Sequence, residues 1–437
     1  MSIHVIIIGA GLAGLAAAIS VKIANPEHQV TVLEAVQKLD EIGAGLQLTP
    51  NATRLFQRWG IYDNLSVQAT SHKSLTVRRF DGTKILAHEP HFQDKILSRY
   101  QAPFWGMHRV DLQRTLVTRA EDIGVQIHYH SRVVFVDFDN AEVEIESPGC
   151  CGKKKVKGDV VICADGIWSA TRNQFLANSH AAAKPTGDLA YRIVIDVSDL
   201  SGPDAPELRK FIQDQGTNFW IGPGSHAVAY AMRAATVYNI VLLCPDDLPE
   251  GITKCGGNLL EMKKLFEQWD PLLQKFLKQV KTTAKWRLTY LDAKEVPEWT
   301  NAKGTFIMVG DSCHAMLPYL AQGANTSLED GAVLGYLLGK VRQGSKEKQL
   351  PIVAKAYRDL RKQRVEKIER EAFGQRGDFH LEDGPEQRAR DELMTEMLDG
   401  EVRANFPSRW TCPKVQNWLY GYDAYHAVEE SFKNNPF

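Results

Sequence analysis

Three short stretches carry residues whose types and spacing could do chemistry. The first, Gly9-Ala10-Gly11-Leu12-Ala13-Gly14, lies between the β-branched run His4 to Ile8 and a small-residue segment from Leu12 to Ile23 that reads as a helix. In such a fingerprint the first glycine makes a tight turn, the second admits a pyrophosphate and the third permits close helix–strand packing. The helix N-terminus adds unpaired N–H groups and a partial positive charge for phosphate. Glu34 ends the next strand, Gln29 to Leu33, about 20 residues on, where an acid accepts hydrogen bonds from a ribose hydroxyl. Together these predict dinucleotide binding, with FAD and NAD not yet separated. The other two stretches are Cys163-Ala164-Asp165-Gly166-Ile167-Trp168-Ser169 and Gly310-Asp311-Ser312-Cys313-His314-Ala315-Met316-Leu317-Pro318, each following a continuous apolar run.

The elements that must position these residues follow from periodicity. His4 to Leu33 is a βαβ opening. Val160 to Ala164 and Thr305 to Val309 read as buried parallel strands. Residues from about 75 to 98 carry strand signals around the turn Asp81-Gly82-Thr83, Asp111 to Ile123 is helical, and strands alternate from Val125 to Glu146. From about 185 to 290 the pattern turns β-rich, interrupted by one helix from Leu259 to Val280. Further helices are expected from about Ala324 to Arg342 and from Tyr357 to Phe373, the latter charged and amphipathic. The expected fold class is α/β: a Rossmann-like dinucleotide-binding domain from residues 1–74, 99–184 and 291–375, an inserted, mainly antiparallel sheet domain from 75–98 and 185–290, and a helical C-terminal region, 376–437. The stretch around Trp418-Leu419-Tyr420 is aromatic within a polar tail.

Composition narrows the function classes. The 437 residues are 44% hydrophobic and 24% charged, with a formal net charge of −1, so no global field recruits nucleic acid or anionic lipid. Lys153-Lys154-Lys155 reads as a solvated turn. The seven cysteines include one adjacent pair, Cys150-Cys151, and no CxxC spacing, which argues against a metal site or a disulfide framework. With no apolar stretch long enough for a bilayer and no secretory leader pattern, a cytoplasmic location and no membrane partner are expected.

The three stretches as a set resemble the group A flavoprotein monooxygenases, the family that includes salicylate hydroxylases and many fungal natural-product oxygenases. The likeness extends through Glu41-Ile42-Gly43-Ala44-Gly45-Leu46-Gln47-Leu48-Thr49-Pro50-Asn51-Ala52, His108-Arg109-Val110-Asp111-Leu112 and Gln322-Gly323-Ala324-Asn325, and covers most of residues 1 to about 375. It implies FAD as cofactor, NAD(P)H as a transient co-substrate and O2 as oxidant. It also implies oxygen transfer from a flavin C4a-hydroperoxide to an electron-rich aromatic small molecule. No second GxGxxG appears, in keeping with a nicotinamide that binds, reduces the flavin and leaves. By the same resemblance Gly9, Gly11, Gly14 and Glu34 hold the dinucleotide and Asp311 takes the ribityl hydroxyls. Gly323 and Ala324 open a helix toward the pyrimidine side of the ring. Arg109 contacts the cofactor, Ala44 and Gly45 pass close to the flavin, and Asp165 is associated with pyrophosphate and NAD(P)H. Pro318 flanks the reacting edge. His314 and Cys313 are expected to pack.

On the substrate side, alternation in Leu189 to Ile195 puts Arg192 on one face with Ala190 and Val194. An arginine among small apolar neighbours needs a function or a partner. It is read as a substrate or acid residue, with a structural ion pair as the alternative. Tyr230 is a weaker candidate, since tyrosine in an inner strand often packs. The resemblance extends to fungal oxygenases that epoxidise prenylated indole alkaloids of the paraherquamide type, where the epoxide collapses to a spiro-oxindole. Hydroxylation of salicylate or another phenol is the alternative. A NAD-dependent dehydrogenase and a flavin-fold binder without turnover are the rivals from other classes.

Overall fold

The computed structural model describes residues 2–38, 45–146, 152–177, 181–398 and 406–436. Its framework is a five-stranded parallel sheet in the order Phe306–Met308, Val160–Cys163, His4–Ile8, Gln29–Leu33, Gln126–His128. Val5, Ile6, Ile7, Val160, Val161 and Ile162 are inaccessible to solvent, as expected when helices cover both faces of a parallel sheet. The fold class is the α/β architecture read from the sequence.

A separate eight-stranded sheet runs Lys254–Gly256, Ala284–Tyr290, Lys184–Asp196, Val237–Pro245, Ser225–Met232, Gly216–Gly222, Ser74–Arg79, Ile85–Glu89. It is antiparallel except where Gly216–Gly222 pairs with Ser74–Arg79. One face of it looks toward the cleft above the parallel sheet. Its other face packs on helices around Trp220, Tyr238 and Phe276.

Several local expectations are corrected. The segment after Glu89 folds as the helix Phe92–Tyr100 rather than as strand. The single helix expected from Leu259 to Val280 is two, Leu259–Leu265 and Pro271–Gln279. Asp270 caps the second by accepting from Leu272 N at 2.8 Å, and Pro271 occupies the first turn, where its missing N–H costs nothing. A helix at Ala205–Gln213 was not anticipated. Lys154–Lys157 is an exposed edge strand, with Lys155 paired to Glu142 at 2.8 Å, not a turn. The charged helix is far longer than expected, Lys346–Phe379, and the tail beyond it forms the helices Pro385–Thr395, Pro413–Tyr420 and Ala424–Asn434. Among the described residues no helix is long and apolar enough to cross a membrane.

Candidate active site

The register Ile6↔Val161 and Val161↔Phe306 sets the carboxyl ends of three strands side by side, so the turns after them converge at one edge. Gly9 turns with φ +100°, and a Cβ there would sit 2.5 Å from Ala164 O; one at Gly14 would sit 2.1 Å from Gly9 O. Only glycine fits either position. At Gly11, in contrast, a Cβ would meet no atom within 4 Å. That position is an open cradle. Glu34 accepts from Ala10 N at 2.8 Å and Val36 N at 3.0 Å, which fixes the turn against the second strand.

The helix Leu12–Ala24 starts at this cradle, and Gln322–Leu338 lies parallel beside it. An added Cβ would be 2.5 Å from Ala17 N at Gly331, 2.7 Å from Val21 N at Gly335 and 2.3 Å from Ala24 Cβ at Gly339, so glycines spaced one turn apart let the two backbones touch. Both N-termini therefore open on the same cleft. Neither has a capping side chain or an acid in its first turn, which leaves their N–H groups and partial positive charge for an anionic ligand.

Between them runs the turn Gly310 to His314, which carries Asp311. Asp330, fully buried on the second helix, clamps this turn at both ends: its Oδ2 accepts from Gly310 N at 2.9 Å and meets His314 Nε2 at 2.5 Å, while its Oδ1 accepts from Arg361 Nε at 2.7 Å. Burial would raise the Asp330 carboxyl, but His314 and Arg361 outweigh it and bring it down to about 2. Burial would likewise depress the His314 imidazolium, yet the Asp330 charge raises it above the ordinary histidine value. His314 is buried and lies against Trp299 with the two rings tilted, as a packing residue would be, but it is also an ionic one. Glu329, next on the helix, takes Asn51 Nδ2 at 2.6 Å and both Nε and Nη2 of Arg364, and Arg361 Nη1 lies 2.6 Å from it, off the hydrogen-bond axis.

A cavity of about 350 Å3 joins these elements to the eight-stranded sheet. Of the residues predicted to bind the cofactor, Gly11, Gly45, Arg109, Asp311, Gly323 and Ala324 lie on its wall, together with Arg192 and Tyr230. The pairing Gly45↔His108 brings Gly45 beside Arg109, and a Cβ at Gly45 would lie 2.6 Å from the Tyr230 hydroxyl. Gly9, Gly14 and Glu34 shape the turn from behind. The side chain of Asp165 is not on the wall: it accepts from Cys163 Sγ at 3.0 Å and Thr171 N at 3.2 Å, while the neighbouring Ala164 and Gly166 do line it. Ala44 lies outside the described residues, as do Glu41 to Gly43 and Cys150-Cys151.

Arg192 shares its sheet face with Ala190, as alternation predicts, but Val194 at the end of that face is 44% exposed. The guanidinium carbon stands 5.1 Å from the Trp286 ring centroid, and its buried Nε has no hydrogen-bond partner. No carboxylate among the described residues forms an ion pair with it. Burial lowers its pKa, and Arg109 adds to that. Tyr230 is buried on the wall, where burial raises its phenol. Sequence reasoning did not single out Phe219, His226, Tyr319 or Trp410, all on the same wall. His226 stood beside the Tyr230 candidate in one alternating strand, which was the available signal.

These features fit FAD: two free helix N-termini, open glycine positions at Gly11 and Gly323, and the exposed acid Asp311 between them. A family model described as FAD binding domain matches residues 2–372. The chain is 46% identical to FAD-dependent monooxygenase OpS4 of Beauveria bassiana, covering 99% of this chain and 98% of that protein. Among solved structures, CtdE in complex with FAD and substrate 4 superposes with a TM-score of 0.80 at 20% identity, covering 99% of this chain and 98% of that one. A salicylate hydroxylase substrate complex does so with 0.75 at 20% identity, covering 98% and 97%. At that identity the two structures speak for the fold alone.

Proposed function

Because the chain belongs to the FAD binding domain family and, within it, to the FAD-dependent monooxygenases, we propose that it uses NAD(P)H and O2 to oxygenate an electron-rich aromatic small molecule. One observation carries this reading: a single cavity unites the residues that fit the cofactor with an apolar sheet face bearing an unpaired arginine. FAD, when bound, supplies the acceptance of hydride from the nicotinamide and the activation of O2. The protein's own residues do the rest. Asp311 offers acceptor oxygens to a polyol, and Arg109 offers a fork of donors to phosphate or ribityl oxygen. The N-terminus of Gln322–Leu338 favours negative charge at its end of the cleft. Buried Leu317 and Leu320, with Pro318 on the wall, help keep water out.

For the substrate, the unbonded Nε of Arg192 supports an acceptor oxygen, either a phenolate or carboxylate to be bound or an epoxide oxygen as it opens. The phenolic reading gains support from relatives named 3-hydroxybenzoate 6-hydroxylase, of Polaromonas naphthalenivorans, and 3-amino-4-hydroxybenzoate 2-monooxygenase PtnB3, of Streptomyces platensis. Indole epoxidation of a prenylated alkaloid with collapse to a spiro-oxindole is the second reading, supported by the apolar floor of the cavity and the Arg192 donor. The test is a screen of hydroxybenzoates, phenols and indole alkaloids for stimulated NAD(P)H oxidation, with products identified by mass. A phenolic acid gaining one oxygen supports the first reading and a spiro-oxindole the second. Purified protein that binds FAD yet turns over none of the three classes refutes both.

A further inference from the structure

The face of the eight-stranded sheet that forms the cavity floor has polar groups at its corners and apolar ones between. On the strand Ser225–Met232, His226, Val228 and Tyr230 point the same way. Arg192 pairs with Val241, which pairs with Val228, so Arg192 stands level with the middle of that strand and two strands away. Tyr230 and Arg192 are electrostatically coupled to each other, whereas His226 is at the other end. From strand rise and spacing, roughly 12 Å separates the Cα atoms of His226 and Arg192.

That far corner is short of acceptors. His226 Nδ1 lies 2.7 Å from His380 Nε2, and the remaining nitrogen of His380, Nδ1, is buried without a partner. Burial holds His226 well below the ordinary histidine value, with His380 adding to it, and takes His380 down to about 4, so both rings are neutral at neutral pH. A neutral ring has one N–H, and an orphaned buried N–H is rarer than an orphaned lone pair. The His380 proton therefore sits on Nε2 and is donated to His226 Nδ1. That fixes the His226 proton on Nε2, at the ring edge left for the cavity. Trp410, from the C-terminal segment, is on the same wall with its indole Nε1 buried and unpartnered. Trp410 packs on Phe219 and His226 on Phe379, and these two phenylalanine rings touch each other, which links both donors to one aromatic cluster at that end of the wall.

We propose that His226 and Trp410 form a second substrate subsite, two N–H donors that bind the carboxylate or carbonyl oxygen of an aromatic substrate at the end away from Arg192. His380 is a positioning residue that sets the tautomer of His226. The assignment rests on the phenolic-acid reading above and adds which end of the acid is held and by what.

The experiment measures binding to the FAD-loaded protein, by perturbation of the flavin absorbance, of 2-, 3- and 4-hydroxybenzoate and of the matching cresols, in which a methyl replaces the carboxylate. With the best-bound acid, His226→Phe and Trp410→Phe should each weaken binding about tenfold or more, with cresol binding changed less than twofold. His226→Gln, whose amide keeps an N–H donor, should recover much of the loss and also serves if the phenylalanine variant does not fold. His380→Phe should lower the ratio of acid to cresol affinity without changing FAD content, a shift that a merely structural role would not produce. Equal weakening of acid and cresol, or of neither, in foldable His226 variants overturns the subsite alone. If no hydroxybenzoate binds wild-type holoenzyme, the phenolic-acid reading and this assignment both fall.

Discussion

Replacing Asp330 by Asn tests how the fold holds its cofactor turn. The side chain keeps its volume, so packing is preserved, but one carboxylate oxygen becomes an NH2 group facing donors on every side: Gly310 N, His314 Nε2 and Arg361 Nε. Two routes give the magnitude. The fall of the carboxyl from 3.8 to about 2 corresponds, at about 1.4 kcal/mol per tenfold change in proton affinity, to about 2.5 kcal/mol of stabilisation of the charged form. Removing one partner from a buried ionic cluster costs about 3–5 kcal/mol, and here Glu329 still pairs with Arg361, which places the loss at the lower end. About 3 kcal/mol is a factor of roughly 150 in the equilibrium between the clamped and the released turn. Apoprotein titrated with FAD, followed by the quenching of flavin fluorescence, should therefore show a Kd raised between tenfold and a hundredfold, with a lower melting temperature for the holoenzyme. An Asp330→Asn variant with wild-type FAD affinity and wild-type melting would refute the clamp.

Three further outcomes are expected. Arg192→Ala should retain FAD while kcat/KM falls by roughly tenfold to a hundredfold, the worth of a charged hydrogen bond; unchanged turnover and product ratio would remove Arg192 from the site. Asp311→Ala should purify with little FAD, and a fully yellow, active preparation would contradict its proposed contact. The His314–Asp330 pair gives a pH dependence. A raised histidine contributes stability fully below its unfolded value of 6.5 and loses it as pH rises through the native value. Asp330, being depressed, contributes above 3.8 and loses it only as pH falls toward 2. Retention of FAD during gel filtration should thus weaken on the alkaline side, and retention that is flat from pH 6 to 10 would show that the pair does not titrate with cofactor release.

Much of the cofactor side was legible because it is written in local sequence. Gly9 and Gly14 have steric reasons that any strand–turn–helix of this kind shares, Gly11 is the open position of the same fingerprint, and the buried runs before Gly166 and Gly310 announce parallel strands. Apolar spacing by itself reads straight through Asp270-Pro271, where the capping acid and the proline start a second helix. The Phe92–Tyr100 helix shows tertiary packing overriding a weak strand pattern: Phe92 and Ile96 reach a core built with Phe219, Met394 and Trp410 from distant parts of the chain. The substrate corner was illegible for the same reason. His226, His380 and Trp410 have no shared spacing: the long helix Lys346–Phe379 ends at His380, and Trp410 reaches the same cluster from the C-terminal segment beyond it. Nor does spacing reveal that Asp165 spends its carboxylate on Cys163 and Thr171.

The glycine seam between the first helix and Gln322–Leu338 has an electrostatic cost that an anion at its head offsets. Two dipoles lying side by side and pointing the same way repel, and backbones in contact give that repulsion its shortest lever arm. Negative charge at the shared positive end relieves both at once. The cofactor is then a keystone as well as a reagent. Stripped of it, the protein should lose stability along the line of Gly331, Gly335 and Gly339, deep in its interior, as well as at the cleft itself.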